Sequence, residues 1–260
     1  MEYIFASDPH GTGKEWIDLV QRAQRDYPQA QLVFGGDYID GRKNSCETLE
    51  FVMAAEKQGA QVLLGNHEDM MINFVEYDDD LWFVNGAKTT VKSLFGRRYS
   101  QAETRQKLKA SDYYCWIKNH AHNLVYETKH LIFVHAGVNP ACIPVDRQYK
   151  LWAREEYWYG DDRHNSAAEI FAHNQTGKTI VTGHSPTCII RGVLEDPTPE
   201  GQPEIFGYTN HSYYCPVVRV QYLDEAPRYF TDGGCHSDLP HNHGNVCVFS
   251  SDGKLTRSYR

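Results

Sequence analysis

Apolar positions in the first third of the chain alternate between two patterns. Short continuous runs at Tyr3–Ala6, Gln31–Phe34 and Gln61–Leu64 have the length of strands. Between them lie two segments of helical period. In Glu15–Ala23, the residues Trp16, Leu19, Val20 and Ala23 recur at intervals of three and four, and Pro28 closes the segment. In the second, Asn44 or Ser45 can cap a helix, with Glu47 placed as the acid of a capping box. Leu49, Val52, Met53 and Glu56 follow, and Gly59 ends the helix. Three strands joined by two amphipathic helices form a βαβαβ pattern, which calls for a parallel sheet.

From Met70 to about Lys129 the period is helical and aromatic, with no clear strand. This stretch is expected to be a helical insertion beside the sheet, forming one wall of a cleft. His130–Val134 and Lys178–Thr182 are a fourth and a fifth strand. Pro197, Pro199, Gly201 and Pro203 mark a loop, and Val217–Tyr222, Tyr229–Thr231 and Asn245–Phe249 suggest shorter, antiparallel strands. There is no internal repeat. The expectation is an α/β fold in a single domain over residues 1–260, with the insertion at about 70–129.

Composition narrows the function classes. A chain of 260 residues hides about 70–75% of its unfolded surface, so its core needs no disulfides. With 34 acidic residues against 26 Lys+Arg, the net charge of −8 argues against broad binding of nucleic acid or an anionic membrane surface. Apolar runs such as Leu131–Val134 fall far short of the roughly 18 residues that span a bilayer. Met1-Glu2-Tyr3 leads straight into a strand, so no signal peptide is expected. The seven dispersed cysteines lack CxxC pairing and suit the reduced thiols of a cytoplasmic protein.

The chemistry lies at the strand ends. Five apolar runs each terminate in Asp, His or Asn flanked by glycine: Asp8-Pro9-His10-Gly11, Gly36-Asp37, Gly65-Asn66-His67-Glu68, His135-Ala136-Gly137 and Gly183-His184. Open α/β sheets bind ligands at the carboxyl ends of their strands, so the five tips should meet in one crevice. Neighbouring glycines permit sharp turns and close backbone approach. Carboxylate, imidazole and amide oxygen together suit a first-row divalent metal. The six donors Asp8, His10, Asp37, Asn66, His135 and His184 exceed one tetrahedral ion and match two ions sharing a carboxylate. Each motif alone is weak, since Asn66 and Glu68 also suit a helix N-terminus. Their joint occurrence, each after a strand, is not.

These motifs, with Asp40 following Asp37, resemble the calcineurin-like metallophosphoesterases. Within them they look most like the branch of Ser/Thr phosphoprotein phosphatases and symmetrical diadenosine tetraphosphate hydrolases. The match spans residues 8–184, with a late piece at Asp232–Cys235 and Gly253–Thr256. The resemblance implies a β-sandwich of two mixed sheets flanked by helices. It also implies two divalent transition-metal ions, manganese foremost, with iron, zinc, cobalt or nickel as alternatives. Asp8, His10 and Asp37 would hold one ion, and Asp37, Asn66, His135 and His184 the other. A water bridging the ions would become the hydroxide that attacks phosphorus in line. His67 would protonate the leaving group, held by Asp40.

Three departures bear on substrate contacts. Pro9 stands between the first two ligands, Asp40 is followed by Gly41-Arg42 rather than Arg-Gly, and the segment Cys235–His243 is expanded, while Pro186 in place of the second His of a GH-x-H motif fits the phosphoprotein-phosphatase and tetraphosphatase branch. Arg154 leads as the phosphate-gripping guanidinium, against a plain salt bridge to Glu155 or Glu156. Arg42 is a further candidate, with Arg147 and Arg163 in reserve. His236, His241 and His243 are expected in a solvated loop, and Cys235 as a packed thiol. The leading expectation is a phosphomonoesterase acting on phosphorylated Ser/Thr in proteins. A symmetrical dinucleoside tetraphosphate hydrolase is second. A non-catalytic metal-binding scaffold is third, disfavoured because all eight positions are present. Partners are thus a phosphorylated protein or a small phosphate ester or nucleotide, with neither nucleic acid nor membrane.

Overall fold

A computed structural model describes residues 1–160, 171–190, 215–237, 239–240 and 242–260. Arg163, His241 and the loop with Pro197, Pro199, Gly201 and Pro203 lie outside the described residues. In the first sheet, β1 (Glu2–Ala6) pairs in parallel with β2 (Gln31–Phe34), which pairs in parallel with β3 (Gln61–Val62). On the other side of β1, β9 (Val246–Ser250) runs antiparallel and carries β10 (Leu255–Tyr259) at the edge. The second sheet has β5 (Leu131–Val134), β6 (Thr179–Thr182) and β8 (Arg228–Phe230) mutually parallel. It is bordered by antiparallel β4 (Val125–Glu127) and β7 (Val218–Val220).

The two sheets face each other across an aromatic core. Tyr3 and Phe5 of β1, Val33 of β2, Leu131 and Phe133 of β5, Val181 of β6 and Phe249 of β9 are buried in one cluster. Phe5 stacks on Phe133 with centroids 5.3 Å apart, a separation typical of offset aromatic pairs. The alternate residues Ile4, Ala6, Leu32 and Phe34 face outward, onto helices α1 (Lys14–Asp26) and α2 (Ser45–Glu56). Ile132, Val134, Ile180 and Phe230 likewise pack against Ala153, Tyr157 and Trp158 in and before the short helix α9 (Glu155–Trp158). Both faces of each sheet are covered, which is why these strands are continuous apolar runs rather than alternating ones.

The remaining helices are α3 (Asn66–Tyr77), α4 (Leu81–Val84), α5 (Ala87–Phe95), α6 (Gln101–Lys109) and α7 (Asp112–Asn119), and α8 (Arg147–Trp152) precedes α9. α5 packs on α2, while α6 and α7 pack on α3. No helix among the described residues is long and apolar enough to cross a membrane.

The structure departs from the sequence expectations at several elements. Strand β4 falls inside the stretch expected to be strand-free, and its three residues are too few to show a period. Strand β8 runs parallel to β6, whereas β7 and β9 are antiparallel as expected. Strand β10 was not anticipated because its middle residues Thr256, Arg257 and Ser258 face solvent at the sheet edge. The capping box at Asn44 does not form. Glu47 instead accepts from the backbone N–H of Lys14 (3.2 Å), and Asn44 donates to the carbonyl of Thr12 (2.9 Å). The first turn of α2 thus secures the start of α1, and with it the loop that follows β1.

Candidate metal centre and active site

Every candidate ligand sits just past a strand end. Asp8 and His10 follow β1, Asp37 and Asp40 follow β2, Asn66 and His67 open α3 after β3, His135 follows β5 and His184 follows β6. The sequence suggested that glycines make these turns. The structure shows that five of the candidate residues themselves adopt the left-handed conformation: φ is 53° at Asp8, 43° at His10, 58° at Asp37, 68° at Asp40 and 64° at His184. Each such residue costs on the order of 1 kcal/mol or more, and such strain gathers where surrounding structure over-determines it. Two glycines are required for proximity. A Cβ at Gly65 would lie 2.2 Å from Asp37 Oδ1, and one at Gly183 would lie 1.9 Å from Asp8 Oδ2.

The donor atoms converge on Asp37. His10 Nε2 is 3.5 Å from Asp37 Oδ2, and His135 Nε2 is 3.5 Å from Asp37 Oδ1. His10 Nδ1 contacts the carbonyl of Ile39 (3.2 Å), and His135 Nδ1 that of Gly35 (2.8 Å). A carbonyl can only accept, so each Nδ1 carries the proton and each neutral ring turns its Nε2 lone pair toward the carboxylate. That is the arrangement of metal-ligating histidines, whose second nitrogen is tied to a backbone carbonyl. His135 Nε2 and His184 Nδ1 also lie 2.9 Å and 3.0 Å from Asn66 Oδ1. Asp8 Oδ1 accepts from the backbone N–H of His184 (2.9 Å). Asp8 Oδ2 and His184 Nε2 are buried without a hydrogen-bond partner among the described residues. Lone pairs facing one another, with an unpartnered buried carboxylate oxygen on Asp8 beside them, fit bound cations.

Two trios follow, Asp8–His10–Asp37 and Asp37–His135–His184, each with ligand atoms within 4.8 Å of one another. The electrostatics carry the same signature. Burial and the nearby charges of Asp232 and Asp37 push the Asp8 carboxyl well up. Burial pushes His10, His135 and His184 down, keeping them neutral. Burial opposes ionisation of Asp37 as well, yet the imidazoles of His135, His67 and His10 bring it to about 2. Asp232, which follows β8, is buried beside this group and raised to about 7 by burial, Asp37 adding to it.

His67 differs from the other imidazoles. Its Nδ1 donates to Asp40 Oδ2 at 2.7 Å, and its Nε2 lies 4.0 Å from Asp37 Oδ2. Burial would lower its pKa, but Asp37 and the bond to Asp40 raise it to about 9. Asp40 is itself held by Trp82 Nε1 (2.9 Å, to Oδ2) and Thr90 Oγ1 (2.6 Å, to Oδ1). The insertion therefore reaches the site through α4 and α5, fixing the carboxylate that orients His67. No local spacing pointed to Trp82 or Thr90. Glu68 escaped assignment as well. Its carboxylate accepts from the backbone N–H groups of Asp37 (2.9 Å), Tyr38 (2.8 Å) and Gly65 (3.1 Å), binding the second and third strand tips together.

The calcineurin-like phosphoesterase family model matches residues 1–208. The chain belongs to that family. It is a metal-dependent phosphoesterase. Among solved structures, this calcineurin-like phosphoesterase is similar in fold to a candidate diadenosine tetraphosphatase, at a TM-score of 0.51 and 16% identity over 99% of this chain and 92% of that one. It is also similar to a protein serine/threonine phosphatase from Saccharomyces cerevisiae, at a TM-score of 0.50 and 15% identity over 95% of this chain and 72% of that one. No curated protein matches the sequence.

The arginines divide. Arg154 Nη1 donates to Ser185 Oγ (2.9 Å), next to His184, and Arg154 makes no ion pair with Glu155 or Glu156 among the described residues. Arg42 instead donates to three carbonyls, those of Cys235 (3.0 Å), Leu239 (2.8 Å) and Asn242 (2.7 Å), anchoring the loop after β8. Arg147 pairs with Asp69 at 2.5 Å. Cys235 is a buried thiol, raised to about 12 by burial. His236 is exposed, as expected of a solvated loop, yet its ring stands edge-on to His10 with centroids 4.7 Å apart, and 5.4 Å from that of His67.

Proposed function

We propose that this phosphoesterase hydrolyses phosphomonoesters, with phosphorylated Ser/Thr residues of proteins as its substrate class, using two divalent ions. Asp8, His10 and Asp37 hold one ion, and Asp37, Asn66, His135 and His184 the other. Bound there, the ions polarise the phosphoryl group and lower the pKa of water. The chain's own residues do the rest. His67, protonated and oriented by Asp40, delivers its proton to the leaving oxygen. Arg154 grips the phosphoryl oxygens, its second nitrogen steadied by Ser185. The observation that carries this reading is His67 itself, a buried imidazole locked by a carboxylate with its free nitrogen 4.0 Å from the shared ligand Asp37.

A phosphoprotein is favoured over a dinucleoside tetraphosphate by charge. The segment leading into Trp82 exposes Asp78, Asp79 and Asp80, and the chain's net charge is −8. A net negative chain carrying such an acidic run disfavours a long polyphosphate and suits one phosphoryl group on an otherwise neutral or basic peptide. The test is a substrate panel on metal-reconstituted protein: p-nitrophenyl phosphate, its bis-ester, a phosphoserine peptide and diadenosine tetraphosphate. The phosphoserine peptide should give the higher kcat/KM. Strong preference for the tetraphosphate would reverse the substrate assignment, and inertness toward all four would sink the catalytic reading.

Arg154→Ala should raise KM for every phosphomonoester and lower kcat, because the guanidinium also stabilises charge that grows in the transition state. Lysine should restore part of the loss, since a point charge cannot replace the fork. Metal content should not change. Near-normal kcat/KM in the alanine variant would remove Arg154 from the site.

A further inference from the structure

We propose that His236 is a further ligand of the ion cradled by Asp8, His10 and Asp37, supplied by a loop far from the other ligands in sequence. The inference rests on the metal assignment above. Three observations carry it. One nitrogen each of His10, His67 and His236 lies within 4.8 Å of the other two, at the mouth of the cleft. Two nitrogens on one ion, each about 2.1 Å away, stand no more than about 4.2 Å apart, so a small swing of the ring brings His236 into range. His236 is exposed while His10 and His67 are buried, which leaves its ring free to make that swing.

The second observation is the placement of the ring. Its plane stands at 82° to that of His10 with centroids 4.7 Å apart, and its centroid lies 5.4 Å from that of His67.

The third observation is how firmly the loop is placed. His236 sits in a single 3-10 turn, Cys235–Ser237, whose first carbonyl accepts from Arg42 Nε (3.0 Å). Arg42 also binds the carbonyls of Leu239 and Asn242, and a Cβ at Gly41 would lie 3.2 Å from His236 Cα. Gly41-Arg42 thus brings the imidazole over His10. The three donors Asp8, His10 and Asp37 leave coordination positions open on that ion, and His236 would occupy one.

The experiment uses the full chain, stripped of metal by chelation and titrated with Co²⁺, followed by calorimetry and by the visible absorption of the bound ion. Wild-type protein should bind two ions. His236→Ala and His236→Phe should each weaken one of them about 10–100-fold, leave the other unchanged and alter the Co²⁺ spectrum. The ion affected should be the one that Asp8→Asn also weakens. His236→Cys should regain affinity and add a thiolate-to-Co²⁺ charge-transfer band. Arg42→Ala should weaken the same ion by releasing the loop. Wild-type affinity and an unchanged Co²⁺ spectrum in both the Ala and Phe variants would overturn the assignment, even if turnover fell. Wild-type protein that binds two ions through His236 yet hydrolyses no ester would overturn the phosphatase reading alone.

Discussion

Asp37→Asn is expected to abolish turnover and to empty both metal positions together. The two carboxylate oxygens face different trios: Oδ2 lies 3.5 Å from His10 Nε2, and Oδ1 lies 3.5 Å from His135 Nε2. Oδ1 also accepts from the backbone N–H of His67 (3.0 Å), so an asparagine would keep its carbonyl oxygen there. Its amide N–H would then point at the His10 lone pair, where a cation should sit. The substitution removes a charge that neighbouring imidazoles hold ionised down to about 2, and it places a donor where a ligand is needed. Losing an outer partner of a metal site typically costs about 10–100-fold in affinity, and losing a shared ligand should cost more. Elemental analysis of the purified variant beside its turnover checks this. Two tightly retained ions would mean that Asp37 does not bridge.

His67→Asn should leave both ions in place and slow esters with poor leaving groups by about 10²–10⁴-fold, the usual scale of general acid catalysis. Aryl esters such as p-nitrophenyl phosphate need little protonation and should lose much less. The wild-type rate on a phosphoserine peptide should fall as pH rises through the His67 pKa, because the acid is then unprotonated. That value is about 9 in the protein alone, and cations bound beside Asp37 would lower it, so the alkaline limb should begin below 9. The variant should lose that limb. Equal losses on aryl and alkyl esters, or a limb that persists, would remove His67 as the proton donor. Trp82→Phe offers a milder version. It deletes one of the hydrogen bonds by which the insertion holds Asp40 and should slow alkyl esters more than aryl ones, with metal content unchanged.

Pro186 stands where a GH-x-H motif would carry a second histidine. In this chain the loop that Arg42 anchors brings the His236 imidazole against His10. Arg42, a candidate substrate contact in the sequence, engages the carbonyls of Cys235, Leu239 and Asn242, while Arg154 donates to Ser185, next to His184.

The candidate ligands that the structure brings together were legible in the sequence because their signal is local. A strand of four or five apolar residues covered on both faces leaves a continuous run, and a ligand at its tip is marked by the glycine its close neighbours require. Asp8, His10, Asp37, Asn66, His135 and His184 all carry that mark. The order of the strands was not legible. The pairing of β1 with β9, and of β8 with β6, follows from which aromatic faces bury against each other, and no spacing along the chain encodes that choice. The contacts that turn a metal cradle into a directed site are longer-range still. Trp82 and Thr90 reach Asp40 across 42 and 50 residues, and Arg42 reaches Cys235 across 193. Each is a single side chain meeting a distant group at hydrogen-bond distance, so its partner exists only once the two sheets have closed and brought the strand tips and the insertion to one crevice.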